Sequence, residues 1–399
     1  MKRSALDELI MKQENLTELN RQILEEIQLK KMNELLCREK ERNGFYQLPA
    51  HISSLSDLKH LPFTTDEDLR TQYTKMFLGS SSEAEKIITG NTSGTTGKAK
   101  RIFYAKRDLE HTVSFFAAGI GEMAAEGEKV MIGMTYSGPN SLADLIAKGV
   151  KGCNAIPLQL KEGSLYEQCL QYHEDNPICA IDMPVRLLAT ARYYEYLYGK
   201  GSFPVKKILP SADACNKSVE KALREEFGLI LFPHYGSREM CMGGAITCQA
   251  HEGMHLREHQ IIAEIVDEQG NVLPNGEWGE LVITTVDMQV LPMIRFRTGD
   301  YTRFLKEPCP CGSVTRRLDR VSRKNPYAQI LEKAENCFFG FSQVIDVSVD
   351  MAENRTNLLV LPDCEEDVLK NMYPEKAEVS IHRITETDHL FYSGKRAAG

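Results

Sequence analysis

Apolar residues recur at helical spacing from Met1 to about Asn43, at Leu16, Leu19, Ile23 and Ile27 among many charges, which predicts one packing helix. The stretch Ser53 to Arg70, SSLSDLKHLPFTTDEDLR, reads as a turn-rich connector leading into a helix, with Thr65 and Asp68 in capping-box spacing. From residue 129 onward, apolar runs alternate with helical stretches: KVMIGMTY, an amphipathic segment near Ser141 to Gly149, NAIPLQL, ICAIDMP, a helix from Arg186 to Tyr198, KKILPSA and LILFPHYG. Strands alternating with helices predict a layered α/β core with much parallel sheet. After Gly253 the pattern changes to QIIAEIVDEQGNVLPNGEWGELVITT, hairpin-like strands separated by Gly and Asn turns, which predicts a β-rich subdomain. Near Val321 it shifts again to a short mixed tail with strands around IDVSV and NLLVL, read as a separate small α+β lid.

Composition narrows the class. A chain of 399 residues can hold one large core and a smaller appended domain. Its net charge of −8 argues against a nucleic-acid footprint, which needs a basic face. No run approaches eighteen consecutive apolar residues and the first residues are charged, so neither membrane nor export is expected and the protein reads as cytoplasmic. Eleven scattered cysteines form no dense even framework; in a reducing compartment they are buried thiols or metal ligands.

One loop carries chemistry on its face. Thr89 to Lys100 reads TGNTSGTTGKAK, in which glycines free backbone N–H groups to turn inward, hydroxyls add donors and lysines add charge. That combination suits phosphate. The strict P-loop spacing fails, because position 92 is Thr92 and Ala99 follows Lys98. The dinucleotide fingerprint fails as well, since Gly94 and Gly97 are spaced wrongly for it.

Four stretches, in chain order SLSDLKHLPFTTDEDLR near the N-terminus, TSGTTGKAKR, HYGSREM (His234 to Met240) and FRTGD (Phe296 to Asp300), resemble the adenylate-forming ligase superfamily. Within it the likeness is to the phenylacetate–CoA ligase and coenzyme F390 synthetase branch, over most of residues 40 to 320. The resemblance implies an adenylation domain over residues 1–321, with the β-rich subdomain at about 246–320, and a lid over 322–399. It implies ATP and Mg²⁺ as well, with CoA as acceptor. Thr92, Ser93, Gly94, Thr95, Thr96, Gly97 and Lys98 would wrap the β- and γ-phosphates, with Lys100 as a further neutralising charge. Ser211, Ala212 and Asp213 would border the adenine, Asp213 having a helix N-cap as its other reading. His234, Tyr235, Gly236, Ser237 and Arg238 would also line the nucleotide, with Tyr235 against the adenine. Glu239 would take Mg²⁺, Asp300 both ribose hydroxyls, and Arg320 would join them. Arg238 stands where the family has threonine. The acid would lie near Tyr136, Gly236, Met240, Gly243 and Gly244, the last two glycines leaving room for a flat group.

Cys309 and Cys311, in PCPCGS, lie in a turn that brings two thiols together, and Cys248 stands in TCQAHEGMH. With His255, matching the branch, or with His251 as its rival, they would make a closed, structural zinc site. Two departures follow. The family's Gly-Arg-x-Asp-Asp hinge corresponds to RKNPY, Arg323 to Tyr327, without either aspartate and with Pro326 restricting φ. The C-terminal FYSGKRAAG resembles the family's lysine segment, making Lys395 the candidate for the α-phosphate. The implied activity is acyl-adenylate formation followed by transfer to CoA. The altered hinge keeps open a non-CoA acceptor, by AMP transfer to a deazaflavin or by amide ligation, and loss of catalysis would leave a nucleotide-binding protein. Members of this branch often form homodimers; no residue here decides that.

Overall fold

The computed structural model describes residues 4–42, 45–90, 100–213, 215–323, 326–370 and 378–391, and its chain divides into two compact units. The glycine loop from Thr92 to Lys98, the hinge residues Lys324 and Asn325, and Lys395 lie outside the described residues.

One unit comprises residues 123–232 and 324–399. Its centre is a parallel sheet in the spatial order Ile156–Gln159, Lys129–Ile132, Cys179–Asp182, Lys207–Pro210 and Ile230–Leu231. Each strand is only two to four residues long and helices alternate with them along the chain, as the sequence predicts. The connection from Lys129–Ile132 runs to Ile156–Gln159 on one side, and that from its other neighbour, Cys179–Asp182, runs to Lys207–Pro210 on the opposite side, so the two leave in opposite directions. Ligands of open α/β sheets bind outside the carboxyl ends at such a switch point.

The tail is where expectation and structure part. Instead of standing off as a lid, the helix Pro326–Phe338 and the strands Val344–Asp350, Arg355–Val360 and Glu378–Arg383 share a core with the segment 123–232. The helix Pro184–Tyr198 explains why: Val185, Leu187, Leu188, Ala189, Ala191, Tyr193 and Tyr194 bury nearly its whole circumference, so one sheet face cannot cover it. Phe338, Phe339, Val344 and Ile345 belong to the same cluster. Arg192, 1% exposed in its side chain, fastens the joint. It meets Glu226 with Nε at 3.0 Å and Nη2 at 2.5 Å, and donates to the carbonyls of Val344 at 2.5 Å and Phe339 at 2.8 Å. Replacing Arg192 with methionine strands a carboxylate and two buried carbonyls, and should cost about 3–5 kcal/mol in denaturant unfolding. A loss below about 1 kcal/mol would show that the tail is held by apolar contact alone.

The other unit comprises residues 1–122 and 233–323. The predicted first helix is two, Ala5–Gln13 and Arg21–Arg42, because Asn15 takes a left-handed φ of 53° and the Asn20 side chain accepts from Ile23 N, capping the second. Two antiparallel sheets follow. One runs Arg317–Leu318, Met254–Leu256, Ala245–Ile246, His234–Tyr235; the other runs Ile261–Val266, Gly279–Thr285, Phe296–Thr302, Ser322–Arg323. A hairpin of Ala84–Gly90 and Lys100–Ala105 pairs Gly90 with Lys100.

Within the helix Arg21–Arg42, Glu39 is 1% exposed and neither carboxyl oxygen has a hydrogen-bond partner among the described residues. Burial raises its pKa from 4.5 to about 7. Its cost therefore appears as pH rises from about 4.5, where the unfolded chain ionises, and is complete above about 7. Glu39→Gln should leave stability unchanged at pH 4 and raise it at pH 8 by up to about 3 kcal/mol, read as a pH-dependent gap between thermal midpoints. A gap of the same size at both pH values would contradict this account.

Candidate functional site

The glycine loop closes a hairpin rather than opening a helix, which agrees with the failure of the P-loop spacing: Gly90 and Lys100 face each other across its base. Lys100, the first residue after the loop, projects into a group of charges. Its Nζ pairs with Glu239 Oε1 and lies 2.5 Å from Asp66 Oδ1 and 5.9 Å from the centre of the Phe296 ring. Burial favours the protonated Glu239 carboxyl, but Lys100 beside it outweighs burial and holds it below the ordinary carboxylate range. Glu239 is thus a buried, ionised oxygen donor.

Asp300 is 8% exposed and occupied on both oxygens. Tyr235 donates its hydroxyl to Oδ2 at 2.8 Å and Arg323 donates Nε to Oδ1 at 2.9 Å. Burial first, and then Asp300, push the Tyr235 phenol well above its usual pKa, so it remains a donor. Gly299, at φ +73°, makes the bend that precedes Asp300 in FRTGD, and Thr298 Oγ1 accepts the Asp300 N–H at 3.0 Å. The strands carrying Asp300 and Arg323 pair directly. Arg323 thus joins the candidate site, though the sequence left it to the hinge; Arg320, exposed like Arg323, bonds through its N–H to Asp319 Oδ1. Asp66 was likewise missed. A capping box signalled the start of its helix but gave no sign of its ion pair with Lys100, 34 residues away. In HYGSREM, Arg238 and Gly236 are exposed, His234 and Ser237 are half-buried, and burial lowers His234 to about 4, leaving a neutral imidazole. The Arg238 carbonyl accepts from the Tyr104 hydroxyl at 2.7 Å.

The expected opening beside Gly243 and Gly244 is filled. A Cβ on Gly243 would stand 2.6 Å from the Phe115 ring, and one on Gly244 2.2 Å from Met240 Sδ. These glycines let the Ser237–Gly244 turn pack against neighbouring side chains, while Cys241 and Met242 take left-handed φ values of 53° and 66°. Met240 itself is fully buried.

In the other unit, Ser211, Ala212 and Asp213 leave the carboxyl end of Lys207–Pro210. Ser211 N donates to the Asp182 carbonyl at 2.9 Å and Ala212 has φ +63°. Asp213 is not the cap of the next helix; Asn216 is, accepting from Val219 N at 2.9 Å. Tyr136 follows Lys129–Ile132 and is 53% exposed. Both segments thus stand at the carboxyl edge of the parallel sheet.

Cys248, His255, Cys309 and Cys311 place their ligand atoms within 4.8 Å of one another. Cys248 and Cys309 sulfurs are 3.6 Å apart, and Cys311 Sγ lies 3.4 Å from His255 Nε2. A tetrahedron with metal bonds of about 2.0–2.3 Å has edges of roughly 3.3–3.8 Å, so the donor set fits zinc. The His255 ring is oriented from behind, Nδ1 lying 2.9 Å from Thr315 Oγ1. Burial is the main cause that raises the Cys248 and Cys311 thiols. His251 is not among the four; it sits in the turn after Cys248 with φ 53°.

The model of the family described as "AMP-binding enzyme" matches residues 90–289. A phenylacetate–coenzyme A ligase of Pseudomonas putida is 30% identical over 276 residues, 66% of this chain and 62% of that one. Another, of Thermus thermophilus, is 26% identical over 331 residues, 78% and 73% of the two chains. The chain thus spans about three fifths of the length of the Pseudomonas relative. A crystal structure of 2-hydroxyisobutyryl-CoA ligase with 2-HIB-AMP superposes with a TM-score of 0.71 over 93% of this chain and 88% of that one, at 15% identity, a likeness of fold.

Proposed function

Because the chain belongs to the AMP-binding enzyme family, we propose that it is an AMP-forming acid–thiol ligase. A carboxylate attacks the α-phosphorus of ATP, pyrophosphate leaves, and the acyl group of the resulting acyl-adenylate then passes to the CoA thiol with release of AMP. One observation carries this reading: a buried ionised Glu239 and a lysine stand at the base of the phosphate-type loop, near a carboxylate, Asp300, that is already ordered to accept hydroxyls. The relatives named as phenylacetate–coenzyme A ligases favour CoA over the other acceptors, and favour an aryl-substituted acid.

In this reading the ribose hydroxyls bind Asp300, whose four lone-pair positions exceed the two that Tyr235 and Arg323 use. Tyr235 presents its ring to the adenine while its hydroxyl fixes Asp300. The loop from Thr92 to Lys98 and Lys100 take the phosphate oxygens, and Lys395 takes the α-phosphate. The family resemblance assigns Ser211 to Asp213 to the base and Tyr136 to the acid. Glu239 fits a magnesium ion by its chemistry, a hard oxygen donor kept ionised. Magnesium supplies charge neutralisation at the departing pyrophosphate. Cys248, His255, Cys309 and Cys311 would hold a structural zinc, since no coordination position stays open for a substrate. Eleven cysteines with no disulfide among them suit a reducing cytoplasm.

The test is thioester formation: purified protein with ATP, Mg²⁺, CoA and a panel of aryl and alkyl acids, followed by mass spectrometry. An acid-dependent acyl-CoA product is expected. Acid-dependent pyrophosphate release without any thioester would transfer the assignment to another acceptor.

A further inference from the structure

Two carboxylates compete for Lys100, and only one of them belongs to the metal site. Asp66 is the first residue of the helix Asp66–Met76, directly after its cap Thr65, where the helix end favours a negative charge. Its two oxygens are divided between partners: Oδ1 faces Lys100 at 2.5 Å and Oδ2 accepts from Arg70 Nε at 2.7 Å. Burial opposes ionisation, yet Lys100 and then Arg70 hold its pKa below the ordinary value. Asp66, Glu239, Lys100 and Arg70 therefore form a neutral set, two of each sign, with Lys100 shared at the centre.

We propose, resting on the ligase reading above, that Asp66 is a positioning residue that lets Lys100 serve as the stand-in cation on Glu239 and then yield that place to a divalent metal. Lys100 occupies Glu239 Oε1, so a divalent metal takes that oxygen only as the ammonium leaves it. With Asp66 present, the ammonium keeps one carboxylate contact as it departs and stays at the base of the glycine loop, where phosphate lies. Without Asp66, Glu239 is the only carboxylate left to Lys100 in this set, and its release costs one more charge-assisted hydrogen bond.

The experiment measures Mn²⁺ affinity by electron paramagnetic resonance, with a non-hydrolysable ATP analogue present, so that turnover is not the readout. Asp66→Asn should weaken Mn²⁺ binding about tenfold, the equivalent of one such contact. Asp66→Glu should restore most of it. In a Lys100→Gln background, where no ammonium needs displacing, Asp66→Asn should shift nothing. Unchanged affinity in Asp66→Asn, or an equal loss with and without Lys100, overturns the role given to Asp66 while leaving the ligase reading intact. A wild-type protein that adds no Mn²⁺ site to that of the nucleotide overturns both.

Discussion

Replacing Asp300 with alanine is expected to lower kcat/KM for ATP by about 100- to 1000-fold while the protein stays folded. The carboxylate would accept both ribose hydroxyls, each bond to a charged acceptor is worth about 1.5–3 kcal/mol, and every 1.4 kcal/mol is about tenfold. The loss should appear chiefly in KM, because the ribose is bound alike before and during reaction. Stability should fall by about 1–3 kcal/mol, since the buried Tyr235 hydroxyl loses this acceptor, whereas the freed Arg323 is 42% exposed in its side chain and can be solvated. Tyr235→Phe is the graded companion: it keeps the ring and removes only the hydroxyl on Oδ2, so a loss of about tenfold is expected. An unaltered KM for ATP in Asp300→Ala would remove the ribose from this site.

The second large effect concerns stability rather than turnover. Cys311→Ser should abolish stoichiometric zinc in the purified protein and lower its stability by at least about 3 kcal/mol, because metal affinity in a closed site is folding free energy. The strands at risk are those the site joins, Ala245–Ile246, Met254–Leu256 and Arg317–Leu318, which are only two or three residues long. Chelator should depress the melting temperature of the wild type and leave Cys311→Ser unaffected. His251→Ala should keep its zinc, and His255→Ala should lose it. Elemental analysis finding no zinc in folded wild-type protein prepared without chelator would end this assignment.

Much of this architecture was legible because local chemistry wrote it. Apolar runs such as ICAIDMP and KKILPSA, alternating with helical stretches, read as buried parallel strands, and the Thr65–Asp68 box marked a helix start that the structure keeps. The three cysteines stood out by spacing, whereas the choice of His255 over His251 came from the family resemblance; the structure brings His255 to the three cysteines. What stayed hidden were pairings across long separations. Nothing local in Pro184–Tyr198 says which segment covers its second face, so the tail looked like a lid when it completes a core. Arg323 read as hinge because its partner, Asp300, is reached by strand pairing and not by motif. Gly243 and Gly244 suggested space, yet an absent side chain frees room that Phe115 and Met240 then take.

Acid-dependent exchange of labelled pyrophosphate into ATP, measured without CoA, tests the central claim most directly, since it reports the first half-reaction alone. The account predicts exchange that requires Mg²⁺ and at least one acid of an aryl and alkyl panel, and that collapses in Glu239→Gln. Folded, zinc-replete protein giving no exchange with any acid, and no heat on mixing with Mg²⁺–ATP, would contradict it.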